Sequence, residues 1–237
     1  MSRTQAYNDF IPVLKTAKEL VTIDAREYSD PPKQQEQNAV RGLRGGAAVL
    51  MVAGFEAYLD DVLRELVEFT KSYLPLVSFD LLPERLRVQN VFGALEGALY
   101  GPPHGPAGTK ASRLLEIHNI SSVVANRMLH PDAFGGTGGN PGKKAFKELL
   151  KTIDLPDIYQ RLQPRFEKKW GQSVSKDFIG AKLDEIVQRR HRVAHRADSL
   201  AISREELRES IKFLGALSVT LDIELGYHFR KICRTSR

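Results

Sequence analysis

The chain has 237 residues, of which 42% are hydrophobic and 27% charged, with a formal net charge of +6. That balance excludes a low-hydrophobicity disordered chain, and the longest apolar run, GAAVLMVAGF at 46–55, falls short of the roughly 20 residues a membrane-spanning helix needs. The basic excess favours polyanionic partners without selecting one. The single cysteine, Cys233, excludes an internal disulfide and a cysteine-based zinc site, and fits a reducing cytoplasm.

The opening segment MSRTQAYNDFIPVLK lacks the basic patch, apolar stretch and small-residue cleavage site of a secretion signal, so a cytoplasmic location is expected. Residues 4–24 predict a first helix, with Phe10, Leu14, Ala17 and Val21 at helical spacing. SDPPKQQ ends it, because consecutive prolines cannot continue a helix. A long helix is expected over 37–73, where Val52, Phe55, Leu59, Val62 and Leu66 form a stripe that requires a partner helix. Two Gly/Pro segments, YGPPHGPAGTK and GGTGGNPGKK, bracket an expected helix at 111–129 and read as flexible surface loops.

A further helix is expected over 143–152, one from 176 to about 195, and a final one from 204 to 232. The last begins with an S-x-x-E capping box, Ser203 and Glu206, flanked by the staple pair Ile202 and Leu207. Leu207, Ile211, Leu214, Leu217 and Leu221 supply its packing stripe, and no alternating strand with hairpin signals interrupts the pattern. The expected fold class is therefore all-α. It is read as a single domain over 1–237, with core helices at 37–74 and 176–232 and a partly loop-rich helical insertion at 75–175.

The segment QRRHRVAHRADS at 188–199 breaks the ordinary amphipathic pattern. Ile179, Leu183, Ile186, Val187, Val193, Ala194 and Ala197 fall on one side of a helix, and Arg190 lies at the centre of that side. Arg189, Arg192 and Arg196 project away from it toward solvent, whereas His191 and His195, four apart, share a flank and can face a common ligand. An arginine on an apolar stripe needs an anion, because an unpaired buried charge is strongly unfavourable. Glu56, set among apolar positions beside Phe55 and Leu59, is an internal candidate, and a phosphate held in a cleft is an external one. A structural Glu56–Arg190 pair near a helix C-terminus explains the pattern as well as ligand binding does, and the two can coexist.

RHRVAH at 190–195 resembles the R-x4-H motif of the HEPN superfamily of all-α nucleotide-binding and RNase domains, in which a polar residue follows the arginine. His191 holds that polar position, where asparagine is commoner. VLMVAGFEAYLDDVLREL at 49–66 resembles the first core helix of the same superfamily, with Glu56 and Tyr58 in its glutamate–aromatic segment. The closest resemblance is to the prokaryotic RiboL-PSP-type HEPN endoribonucleases, over about 40–74 and 178–230. It implies a HEPN-like helical bundle that cleaves RNA without a metal or cofactor, in a cleft shared by a homodimer.

The same resemblance implies attack of the 2′-OH on the adjacent phosphorus, leaving 2′,3′-cyclic phosphate and 5′-OH ends. His195 would then do acid–base work, Arg190 would hold the scissile phosphate and His191 would orient the base or the 2′-OH, with Glu56 in support. Arg189, Arg192 and Arg196 would bind flanking phosphates of the RNA. Such domains act as toxins or effectors in prokaryotic defence or toxin–antitoxin systems, so an antitoxin or sensor is an implied partner. The alternative is a non-catalytic HEPN-like module that binds RNA or nucleotide, or scaffolds a partner.

Other signals carry less. TGGNPGKK departs from a phosphate-binding loop at Thr137 and Lys144 and follows no expected strand. His104, His118 and His130 are too widely spaced for a metal site, and none is expected. Phe166 and Trp170, near Lys168 and Lys169, can stack on bases, but a buried anchor is the preferred reading.

Overall fold

A computed structural model describes residues 3–73, 78–100, 108–125, 127–196 and 199–236, without the side chains of Val123, Val124, Ala125 and Arg196. The described residues form eight α-helices and no β-strand, in agreement with the all-α expectation. Most of YGPPHGPAGTK lies outside the described residues.

Helix α1 (Gln5–Glu27) starts at Thr4, whose side chain accepts from the Tyr7 N–H. It buries Phe10, Leu14, Ala17 and Val21 against α2 (Gln37–Ser72). Ala6 N–H donates to Glu65 at one end of the pair and Arg44 donates to Asp24 at the other, so the two helices run antiparallel. The expected end of α1 at residue 24 falls a turn early. The expected stripe of α2 is buried throughout: Val52, Phe55, Leu59, Val62 and Leu66.

The C-terminal helix α8 (Arg204–Thr235) lies across both, with Tyr58 OH donating to Ser218 O at 3.1 Å and Thr4 N–H to Asp222 at 3.3 Å. Its capping box forms as expected: Ser203 Oγ accepts from Glu206 N–H, and Glu206 accepts from Ser203 N–H. Ile202 and Leu207 are buried on either side of it.

Two helices were not legible in the sequence. In α3 (Glu84–Tyr100) the inward positions Leu86, Asn90, Ala94 and Ala98 are mostly small or polar, so no large apolar stripe marks it. In α6 (Ile158–Trp170) the stripe Ile158, Leu162, Phe166 and Trp170 is interrupted by charge and by Pro164. Gly171 closes α6 in the left-handed conformation, φ +94°, its N–H bonding Glu167 O at 2.8 Å. Phe166 and Trp170 are buried anchors, packed with Phe178 and Phe213 where α6 meets α7 (Phe178–Arg196) and α8.

The helix α4 (Lys110–Ala125) ends earlier than the expected 129, whereas α5 (Lys143–Thr152) has the expected limits. Phe146 of α5 stacks on Phe55 of α2, their ring centroids 6.3 Å apart, so the central region shares the same apolar core as the terminal helices. No described helix is long and apolar enough to cross a membrane.

Candidate functional site

Helix α7 carries the RHRVAH segment in its last two turns. Ile179, Leu183, Ile186 and Val187 bury the first part of the helix in the core. Beyond them the burial thins: Val193 is half-buried, while Ala194, expected on the apolar side, is exposed. Ala197 lies outside the described residues. The last turn is held mainly through Val193, which packs on Gly45 of α2; a Cβ at Gly45 would come within 3.2 Å of Val193 Cγ1. Its other side faces solvent.

The arginine at position 190 is half-buried and does not pair with Glu56. Among the described residues Glu56 forms no ion pair; its Oε1 accepts from Thr137 Oγ1 at 2.8 Å and from Gly139 N–H at 2.7 Å. Arg190 approaches the same glycine from the other side, one of its Nη atoms donating to Gly139 O at 3.4 Å. Its Nε–H is buried and has no partner. The anion sought for Arg190 is therefore not Glu56. A main-chain carbonyl takes one donor, and among the described residues the buried Nε–H has no acceptor.

The segment GGTGGNPG, expected to be a flexible loop, is tied down. Asp60, one turn beyond Glu56 on α2, accepts from Gly136 N–H at 2.6 Å, and Asp184 of α7 accepts from Lys143 N–H at 2.6 Å. Two carboxylates on one face of α2 thus collect the loop's donors, which is why the expectation drawn from glycine content alone fails. Gly139 has φ +77°, a left-handed conformation that lets its N–H and C=O serve Glu56 and Arg190 at once.

The two histidines lie side by side as expected, their rings stacked with centroids 5.9 Å apart and planes 14° from parallel. His191 is half-buried and His195 exposed. Neither ring is fixed by a hydrogen bond to another described residue.

The flanking arginines divide. Arg192 is exposed and forms no ion pair among the described residues, and the side chain of Arg196 lies outside them. Arg189 overturns its expected solvent-facing, RNA-binding placement: it is 5% exposed. Its guanidinium donates to Glu185, to Glu206 at 2.8 Å and to Ser210 Oγ at 3.1 Å. The α7–α8 hairpin closes over that face, burying Lys182 as well, so the side that a single helical wheel assigns to solvent is covered. Burial tends to raise the Glu206 carboxyl pKa, but its hydrogen bonds from Ser203 and the charge of Arg189 prevail and hold it below the usual value.

The turn that follows the motif is secured by a cluster that sequence reasoning missed. Asp24, fully buried at the end of α1, accepts from Arg44 Nε at 2.8 Å and from Arg204 at 3.0 Å. Arg44 also donates to Ile202 O. Burial pushes the Asp24 carboxyl up, yet the hydrogen bonds and charges of Arg204 and Arg44 outweigh it and hold the group below its ordinary value. The cluster joins α1, α2 and the start of α8.

Two cavities of about 730 and 620 Å3 lie along the second half of α2, and neither is lined by Arg190, His191 or His195. Among the described residues no group of three or more His, Cys, Asp or Glu has the arrangement to hold a metal ion.

Residues 131–227 match the family model described as RiboL-PSP-HEPN. This part of the chain is similar to that family. The matched region includes the Gly-rich loop, α5, α6, α7 and most of α8, and thus Gly139, Arg190, His191 and His195. It begins inside the stretch 75–175 that the sequence reading set apart as an insertion, and it leaves Glu56 on α2 outside its limits. No curated protein and no solved structure matches the chain.

Proposed function

We propose that the chain is a metal-independent endoribonuclease of the HEPN type, and that Arg190, His191 and His195 form its site. The observation that carries this reading is the Arg190 guanidinium, whose buried Nε–H has no partner among the described residues and which lies beside two stacked histidines. Leaving such a donor unsatisfied costs about 1–3 kcal/mol. A phosphate arriving from the solvent side supplies further acceptors to this half-buried guanidinium, which can meet it through two parallel hydrogen bonds.

In the proposed reaction His195 removes the 2′-OH proton as O2′ attacks the adjacent phosphorus. Arg190 stabilises charge on the phosphoryl oxygens, and the P–O5′ bond breaks as O5′ takes a proton. His191 orients the base or the 2′-OH. The open last turn of α7 favours a homodimer in which two copies face each other, so that His195 of one serves as base and its symmetry mate as acid. Arg192 and Arg196 then contact flanking phosphates, while Arg189 is committed to Glu185 and Glu206. A cytoplasmic toxin or effector role in a defence or toxin–antitoxin system, with an antitoxin or sensor partner, is the setting that this chemistry fits.

One observation favours a second reading. Neither histidine is oriented by a hydrogen bond to another described residue, as a committed base commonly is. A HEPN-like module that binds RNA or nucleotide without cutting it, or that scaffolds a partner, needs no such orientation. End-group analysis separates the two: the wild-type protein in EDTA should leave 2′,3′-cyclic phosphate and 5′-OH ends on RNA and should not cut the all-deoxy strand of the same sequence. Binding of RNA with no cleavage under these conditions favours the second reading.

A further inference from the structure

Helix α7 contains two adjacent arginines that the protein treats in opposite ways. Arg189 has its donors met by Glu185, Glu206 and Ser210. Arg190 has a carboxylate close at hand in Glu56, yet that carboxylate is occupied by the Gly-rich loop, and Arg190 receives only the Gly139 carbonyl, at 3.4 Å. We infer that Gly139, gripped by Glu56, is the positioning element that aims Arg190 at its ligand. The inference rests on the proposed ribonuclease reading and gives the loop 135–142 a role within it.

The geometry supplies the reason. Glu56 holds the loop through Thr137 Oγ1 and Gly139 N–H, and Asp60 holds it one turn away through Gly136 N–H. With the Gly139 N–H fixed and its φ at +77°, its carbonyl is directed at Arg190. A contact of 3.4 Å lies at the long end of hydrogen bonding, so it orients the guanidinium without using up its donors. A direct Glu56–Arg190 ion pair would instead neutralise the arginine and compete with phosphate. Glu56 is thus a positioning residue that acts through the loop, and it requires only an acceptor oxygen to do so.

That requirement sets the test. Glu56→Gln keeps an acceptor for Gly139 N–H and Thr137 Oγ1, Glu56→Ala removes it, and Thr137→Val deletes one of the two ties. Gly139→Ala adds a methyl group that meets no atom within 4 Å, so its effect comes from the left-handed backbone alone. Two readouts are followed in proteins whose melting curves show a folded state. One is kcat and KM for RNA cleavage. The other is the 15N–1H resonance of Arg190 Nε, assigned by its absence in Arg190→Lys.

Glu56→Gln should retain activity and a sharp Arg190 resonance. Glu56→Ala and Gly139→Ala should broaden the resonance and lower kcat by up to about 100-fold, as misplacement of a charged group by an ångström does, with a smaller change in KM. Thr137→Val should fall between them. An unchanged resonance and kcat in folded Glu56→Ala overturns the inference, as does a Glu56→Gln variant as impaired as Glu56→Ala. If Glu56→Ala does not fold, Gly139→Ala and Thr137→Val decide by the same criteria. If the wild-type protein cuts no RNA, the ribonuclease reading fails and the Arg190 resonance alone decides the positioning role, an order in wild type and Glu56→Gln that is lost in Gly139→Ala supporting it.

Discussion

Glu56 and Arg190 grip opposite sides of one residue without touching each other. The Glu56 carboxylate accepts from the Gly139 N–H at 2.7 Å, and Arg190 donates to the Gly139 carbonyl at 3.4 Å. A glutamate and an arginine on neighbouring helices would ordinarily meet as an ion pair. Interposing a glycine leaves the arginine oriented, charged and short of acceptors, a state suited to an incoming phosphate.

Arg189 and Arg192 should behave oppositely although both flank the motif. Arg189→Ala removes donors to Glu185, Glu206 and Ser210 and should cost about 2 kcal/mol of stability, a figure below that of a fully buried pair because both carboxylates are partly exposed. Arg192→Ala should leave stability within about 0.5 kcal/mol of wild type. It should weaken RNA binding and reduce the salt dependence by about one counterion. Denaturant melts and RNA affinity measured against salt concentration check both.

The Asp24 cluster should set the acid limit of the fold. Its carboxyl titrates below the ordinary 3.8 in the folded chain, so its contribution is present above the unfolded value and is lost as pH falls through the folded one. Asp24→Asn should remove that dependence below about pH 4. It should also cost about 3–5 kcal/mol at neutral pH, because Arg44 and Arg204 remain buried without their counter-charge. Urea midpoints of both proteins from pH 3 to 7 measure the effect.

A second window comes from His228, buried on α8 with its Nε2 2.6 Å from Ile153 O. Burial depresses its pKa from the ordinary 6.5, the hydrogen bond to Ile153 opposing. The unfolded chain therefore takes up the proton first, and stability should decline as pH drops below about 6.5. His228→Gln should flatten the stability profile in that range, measured by thermal melts across pH 5 to 7.5.

Much of this architecture is legible in the residues. The buried stripes of α1, α2 and α8, the limits of α5 and the Ser203–Glu206 capping box follow from spacing and local chemistry. Helix α3 is hidden because its inward face is built from Asn90, Ala94 and Ala98. Arg189 is misplaced by a wheel drawn on α7 alone, since only the hairpin with α8 shows that α7 is covered on a second side. For the same reason the Glu56–Gly139–Arg190 relay lies beyond periodicity: it depends on a left-handed glycine far from both partners in the chain. The glycine run and Glu56 are both visible in the sequence, but nothing in one dimension joins them.

The most direct measurement is cleavage of a labelled single-stranded RNA in EDTA by the wild-type protein beside Arg190→Ala and His195→Ala, each first shown to be folded and dimeric. Cutting by wild type alone, with cyclic phosphate ends and a loss of about 100-fold or more in each variant, is the predicted result. Cleavage by either variant at the wild-type rate, or a wild-type protein that binds the RNA and leaves it intact, would contradict the assignment of Arg190 and His195 to a ribonuclease site.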